Sequence, residues 1–271
     1  MYNINKLRSI ILAFGLWLML VVPVWAMEPI VVGGSGADLE TFRILAGEFS
    51  KQNPTYSIKV IPSIGSSGAV RGVATGRVDL GLMSRPLKGK ERGRGLTVIH
   101  YADTALVYVV AKGHHVKQVD TDTLKEIYTG GSNTHGLRPV LRPKLDSDTL
   151  VLEEKLPGIR DALAQAYSRK GVPIGTSDQA TINILLKSED VITTSTLSLV
   201  MSEKPAVQVL SLDGVSPNAS TLSNGTYPLI KKLFMLHDGK LTGFKSRFID
   251  FILSDKGADI LARTGHVPMK L

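Results

Sequence analysis

From Pro29 onward the apolar positions fall into short blocks that alternate between two periods. Pro29 to Val32 is a brief apolar run closed by Gly33-Gly34-Ser35-Gly36, the length and boundary of a buried strand. Leu39, Phe42, Leu45, Ala46 and Phe49 then recur at helical spacing, and Asn53-Pro54 stops that helix. Tyr56–Ile61 predicts a second strand. Val70, Val73 and Ala74 mark a short helix, and Arg77–Met83, bounded by Gly76 and Pro86, predicts a third strand. Ala105–Ala111 is a continuous apolar strand, and Asp120 begins a short helix that ends at Gly130-Gly131. Val140–Arg142 predicts a strand, Asp146–Thr149 a helix start, and Ile159–Tyr167 a further helix. Ser177–Leu186 and Leu197–Met201 are short elements, and Tyr227–Leu236 reads as a strand. Phe244, Phe248 and Phe251 share one helical face before a last helix over Ser254–Arg263. Short strands alternating with helices predict an α/β fold built on a parallel sheet.

The first 26 residues stand apart from this pattern. Lys6 and Arg8 precede an apolar run from Ile10 to Val22, and Pro23-Val24-Trp25-Ala26 follows, the layout of a signal peptide cleaved after Ala26. The run is short for a membrane span, so the expected product is soluble and exported, with no membrane insertion after cleavage. Removing those residues leaves 245 of the 271, enough for one large domain or two lobes. The chain has no cysteine, which excludes disulfides, thiolate metal sites and a lipidated N-terminal Cys, and favours a bacterial periplasm. The formal charge of +8 falls to +6 because Lys6 and Arg8 leave with the leader. This modest excess suits anionic partners. No basic run with interleaved aromatics argues for nucleic acid, and no motif points to a cofactor or metal. No repeat of fixed period and no low-complexity tract is present.

Three turns share one design of strand, small or hydroxyl residues, and helix: Gly33–Ala37, Gly65–Gly68 and Asp146–Thr149. A helix N-terminus has unpaired N–H groups and the positive end of the dipole. Glycine admits a ligand close to the backbone, and Ser or Thr hydroxyls add donors. Arg142, just before the third turn, offers a planar fork suited to an oxyanion. Each turn alone is better explained as ordinary capping or turn chemistry, and it is their joint occurrence with Arg142 that points to an anion.

With these residues identified, the chain resembles the phosphate-binding proteins of bacterial ABC import systems. The sharpest segment runs from Gly65 to Leu87: Gly-Ser-Ser-Gly, a short helix, Val-Asp-Leu-Gly, then Ser84-Arg-Pro. Thr123–Gly130, Leu212–Pro217, Tyr227–Phe234 and the closing Ser254-Asp-Lys-Gly with Gly265-His-Val-Pro add to it. The resemblance implies a two-lobed type II periplasmic binding protein fold. Residues 27–110 plus 230–271 would form lobe 1 and 111–229 lobe 2, joined by crossing strands near Leu106–Val110 and Leu229–Leu236. A phosphate would sit in the cleft, held by Ser35, Gly36, Ala37, Ser66, Ser67 and Ser84 from lobe 1. Arg142, Ser147, Asp148 and Thr149 would complete it from lobe 2. The expected protein is a monomer that presents inorganic phosphate or a similar oxyanion to an ABC transporter permease.

Two departures from the family pattern bear on the ligand. Ser84 stands where some relatives place an Asp that accepts the proton of hydrogen phosphate, and Asp148 replaces a glycine. Asp148 then has two readings, a proton acceptor or a helix cap pointing away. The alternatives are binding of sulfate, molybdate or tungstate, or a sensory ligand-presenting role. A distant one is an α/β serine hydrolase with its nucleophile at Ser35, within Gly33-Gly-Ser-Gly-Ala37, and partners among Asp213, Asp238, His237 and His266.

Overall fold

The computed structural model describes residues 29–131, 133–241 and 243–269, and the expected leader lies outside them. The chain begins with β1 (Ile30–Gly34), a 3-10 turn (Gly36–Asp38), α1 (Leu39–Gln52), β2 (Ile58–Val60), α2 (Gly65–Ala74), β3 (Leu80–Met83) and a second 3-10 turn (Gly89–Glu91). The long β4 (Thr97–Ala111) leads to β5 (Gln118–Val119), α3 (Thr121–Thr129), β6 (Arg138–Pro139), α4 (Ser147–Lys155), α5 (Ile159–Ser168) and α6 (Asp178–Leu185). Then come β7 (Val191–Thr196), α7 (Leu197–Glu203), β8 (Val207–Val209), β9 (Ser211–Leu212) and α8 (Ala219–Ser223). β10 (Ile230–His237) returns, followed by α9 (Phe244–Leu253), α10 (Asp255–Arg263) and β11 (His266–Pro268).

The main sheet has the order β2-β1-β3-β10-β4-β7-β6, with β8 and β11 also pairing β4. β1 runs parallel to β2 and β3, but β10 is antiparallel to both β3 and β4, and β4 is antiparallel to β7. The parallel expectation is therefore corrected to a mixed sheet. The strand–helix units supply the parallel pairs, and the two long strands that cross the molecule supply the antiparallel ones.

Two large apolar cores lie along this sheet, and a smaller cluster of Val70, Val73, Val78, Met83 and Leu236 packs α2 against it. One gathers Val32, Phe42, Leu82, Met235 and Phe248. The other gathers Val107, Leu124, Leu163, Leu185 and Leu210. β4 serves both, with Tyr101 and Ala102 in the first core and Ala105 to Val110 in the second. β10 does the same in reverse, with Leu233 and Met235 in the first and Leu229, just before it, in the second. The Tyr227 hydroxyl ties the crossing by donating to the Leu106 carbonyl at 2.9 Å. The two lobes are thus continuous through a pair of strands, an arrangement that permits hinge motion without breaking either core.

The short β5, β8, β9, β11 and α8 have no counterpart in the sequence reading, and three strands of the main sheet differ from it. β4 starts at Thr97, because β10 pairs it from Thr97 onward despite the polar His100, Asp103 and Thr104. β6 pairs through Arg138 and Pro139, while Leu141 makes only an isolated bridge to Ile174. β7, Val-Ile-Thr-Thr-Ser-Thr, was not anticipated at all, yet every residue in it is buried.

Candidate functional site

A polar cavity of about 470 Å³ lies between the two lobes. The first lobe lines it with Ser35, the start of α2 from Ile64 to Gly68, and Ser84. The second lobe lines it with Arg142, Asp146, Ser147 and the Thr176–Asp178 segment. A cavity of similar size, about 500 Å³, lies on the second lobe between α3, β6 and Arg169–Pro173, and contains none of the predicted site residues.

Each wall follows from local sequence. β1 ends in Gly33-Gly34 because its backbone runs against β3: a Cβ at Gly34 would lie 2.0 Å from the Leu82 carbonyl oxygen. That contact delivers Ser35 to the cavity, where its hydroxyl donates to Ser84 Oγ at 3.1 Å. α2 opens at Gly65, whose φ of +66° suits glycine, and among the described residues no side chain caps its N-terminus. Its first-turn N–H groups therefore remain available at the cavity wall. By contrast α4 is capped by Asp146, which accepts from Asp148 N at 3.0 Å, and α6 by Ser177, which accepts from Ala180 N at 3.2 Å.

The hydroxyls meet across the cleft. Ser66 Oγ accepts from the Ser84 N–H at 3.1 Å and lies 3.5 Å from Ser84 Oγ. Ser84 Oγ and Ser147 Oγ, from opposite lobes, are 2.9 Å apart. Ser67 is held by Arg85, which donates to its Oγ at 2.9 Å and grips Glu91 through two bonds of 2.8 and 2.9 Å. The Arg85 hydrogen bonds hold the Glu91 carboxyl down at about 2.

Arg142 is buried at the cavity floor. Its Nη1 donates to the Gly175 carbonyl at 3.1 Å and to Thr181 Oγ1 at 2.9 Å, and Nη2 donates to Asp146 Oδ2 at 3.1 Å. Asp148 and Asp178 stand 3.6 Å away, and Arg142 Nε has no hydrogen-bond partner among the described residues. Burial pulls the guanidinium pKa down, but Asp178, Asp148 and Asp146 outweigh it, so the net displacement is upward.

Of the sequence-predicted residues, Ser35, Ser66, Ser67, Ser84, Arg142 and Ser147 line this one cavity. Gly36, Ala37, Asp148 and Thr149 do not. The Gly36 carbonyl accepts from Gln179 Nε2 at 3.0 Å, and the Ala37 N–H turns back to Ser35 Oγ at 3.4 Å. Thr149 donates to the Pro143 carbonyl at 3.0 Å and meets the Tyr167 hydroxyl. Asp148 is neither a cap nor a wall of the cavity. It lies at 1 % exposure, hydrogen-bonded by Lys231 of β10 and, at 3.1 Å, by Thr194 of β7. Burial alone would raise its pKa, but Lys231 and Arg142 hold it below the ordinary range. The reason is geometric: its side chain points under α4 to the crossing strands. The unanticipated wall residues include Ser63, Arg71, Lys88, Leu145, Thr176, Ser177 and Asp178. Only Ser177-Asp178 carried a sequence signal, an N-cap before an apolar run.

Among the described residues the Ser35 hydroxyl is bonded to Ser84 and to the Ala37 N–H, and the histidines weighed as hydrolase partners are engaged elsewhere. His266 faces Asp38 at 3.3 Å, and His237 accepts from the Gly239 N–H at 3.0 Å. Among the described residues no helix is long and apolar enough to cross a membrane.

Comparison with known proteins fits this architecture. A relative from Bacillus subtilis strain 168 named phosphate-binding protein PstS is 25% identical over 255 residues, spanning 90% of this chain and 82% of the relative. A Clostridium perfringens protein described as a phosphate ABC transporter substrate-binding protein, solved with phosphate bound, superposes with a TM-score of 0.76 at 24% identity. The match covers 90% of this chain and 100% of that one. An ABC-type phosphate transport receptor from Vibrio cholerae gives a TM-score of 0.62 at 17% identity, covering 88% and 99%. The family model described as the PBP superfamily domain matches residues 25–256, and the chain belongs to the PBP superfamily.

Proposed function

We propose that this protein is a solute-binding protein that holds one inorganic phosphate in the interlobe cleft and presents the closed form to the permease of an ABC-type importer. The observation that carries the reading is the meeting of Ser84 and Ser147 across the lobes, 2.9 Å apart, in the cavity that also holds the uncapped start of α2 and Arg142. Hydroxyls, backbone N–H groups and a guanidinium are the donors a tetrahedral oxyanion needs. The relatives named for phosphate support that oxyanion among the candidates. In this reading Ser35, Ser66, Ser84, Arg142 and Ser147 contact the ligand, and Ser67 and Arg85 brace the α2 wall. In this reading the site binds rather than reacts: Ser35 donates to Ser84 and serves as a ligand contact. The leader would direct the chain to the periplasm, where it would act as a monomer.

The test is calorimetric titration of the exported protein after ligand has been stripped by unfolding and refolding. One-to-one heat with phosphate and with arsenate is the expected outcome. Absence of heat with either anion would remove the phosphate reading.

A further inference from the structure

The interlobe cavity is larger than the ion assigned to it. Its volume of about 470 Å³ falls among pockets that hold small organic molecules. A water molecule takes only about 30 Å³, and phosphate is a single phosphorus with its oxygens. The charges on its walls are also unevenly matched. Arg142, at the floor, is flanked by Asp146, Asp148 and Asp178. Arg85 is committed to Glu91 and Ser67. Arg71 and Lys88, both on the first-lobe wall, pair with no acid among the described residues, and Glu91 beside Lys88 is already held by Arg85. Ile64, Ser67 and Arg71 follow one another at helical spacing on the cavity side of α2. From the unpaired N–H groups at Gly65 to Arg71 the helix advances about 9 Å, at about 1.5 Å per residue. Apolar surface reaches the same cavity from both lobes: Ile64 is 40 % exposed and Leu145 is 73 % exposed.

We propose that the cleft also binds phosphate monoesters of small hydroxy acids, with Arg71 and Lys88 as the seat of the ligand's carboxylate. This rests on the phosphate reading above, which supplies the seat of the phosphoryl group at the start of α2 and Arg142. The carbon body of the ester lies against Ile64 and Leu145 and removes their apolar surface from water. The carboxylate then meets the two cations that no protein acid neutralises. An ester of similar size without a carboxylate makes the apolar contact and not the ion pairs. Cations that served only to draw anions into the cleft would raise the association rate with every anion according to its charge, an effect that salt removes. A seated carboxylate instead adds affinity that depends on where the second charge lies in the ligand.

The test is calorimetric titration of the ligand-stripped wild type and of a double variant, Arg71→Ala with Lys88→Ala, at about 0.15 M ionic strength, where the Debye length is about 8 Å. The probes are inorganic phosphate, ethyl phosphate, 2-phosphoglycolate and diphosphate. The wild type is expected to bind 2-phosphoglycolate roughly fivefold to thirtyfold more tightly than ethyl phosphate, the gain from two solvent-accessible ion pairs. The double variant is expected to lose that gap, with 2-phosphoglycolate weakened more than inorganic phosphate. Arg71 is exposed and Lys88 half-buried, so its melting transition should stay in place. A wild type that binds phosphate and takes both esters equally overturns the proposal and leaves the phosphate reading intact. A double variant that keeps the preference for 2-phosphoglycolate does the same. Diphosphate bound more tightly than 2-phosphoglycolate overturns the hydroxy-acid assignment. Heat with 2-phosphoglycolate and none with inorganic phosphate overturns the phosphate reading and keeps the ester; no heat with any probe overturns both.

Discussion

In the proposed reading Arg142 has two tasks, and they make opposite demands. It must offer charge to the cleft, and it must hold Gly175, Thr181 and Asp146 in place. A guanidinium does both because its five N–H groups point in fixed directions. Lysine would supply charge without the fork. Arg142→Lys should keep part of the stability and lose most of the affinity. Arg142→Ala should cost on the order of 2–5 kcal/mol in binding, since ligand charge would be left under-compensated. It also leaves Asp146, Asp148 and Asp178 facing Lys231 alone, so its melting temperature should fall as well. Titration of both variants well below their melting temperatures separates the two effects. An Arg142→Ala protein that binds phosphate as the wild type does would remove Arg142 from the site.

At the scale of elements, one buried ion pair pins α4 to the crossing strand. Lys231 of β10 is 1 % exposed, and its bond to Asp148 of α4 lies between the two lobes. Burial lowers the lysine's pKa, and Asp148, Asp178 and Asp146 more than restore it, so both partners stay charged. Removing one partner strands the other in the interior. Lys231→Met should destabilise by about 3–5 kcal/mol, while Lys231→Met with Asp148→Leu should recover much of that loss. Chemical denaturation of both variants checks it, and a single variant as stable as the wild type would show that the pair contributes nothing. This pair also shows where the sequence stops being legible. Periodicity located α1, α2, α9 and α10, because each buries one regular stripe, as with Phe42, Leu45 and Phe49 in α1. It missed β7, because Thr193, Thr194 and Thr196 look like loop residues until their hydroxyl partners are known: Val140 O, Asp148 and Ser198. The resemblance placed Asp148 by its position in a loop motif. The charge that redirects it comes from Lys231, 83 residues away, which no local pattern reports. Ser35, Ser66, Ser84 and Ser147 were legible because turn chemistry fixes where they point. Asp178 was not, because its place in the wall depends on Arg142, 36 residues before it, packing beside it.

For the molecule as a whole, the cleft is a balance between lobes that touch and a hinge that lets them part. β4 and β10 carry the hinge, and few polar contacts hold the lobes together at the mouth. Besides Ser84 with Ser147, Gln179 of α6 donates to the Gly36 carbonyl at 3.0 Å, and deeper in the seam Ser198 of α7 donates to the Ala37 carbonyl at 3.0 Å. Gln179 does not line the anion cavity, so its substitution tests closure without removing a ligand contact. A hydrogen bond of this kind contributes about 0.5–1.5 kcal/mol. Apparent affinity scales with the fraction of molecules in the competent state. If closure shares that energy, Gln179→Ala should weaken phosphate binding by roughly twofold to tenfold. Small-angle scattering should show a larger unliganded radius of gyration, and the same compact form once phosphate saturates the site. Saturation restores compactness because ligand that binds only the closed form stabilises it by mass action. An unchanged affinity together with an unchanged scattering profile would place the closing energy in the hydroxyl contacts and the ligand alone.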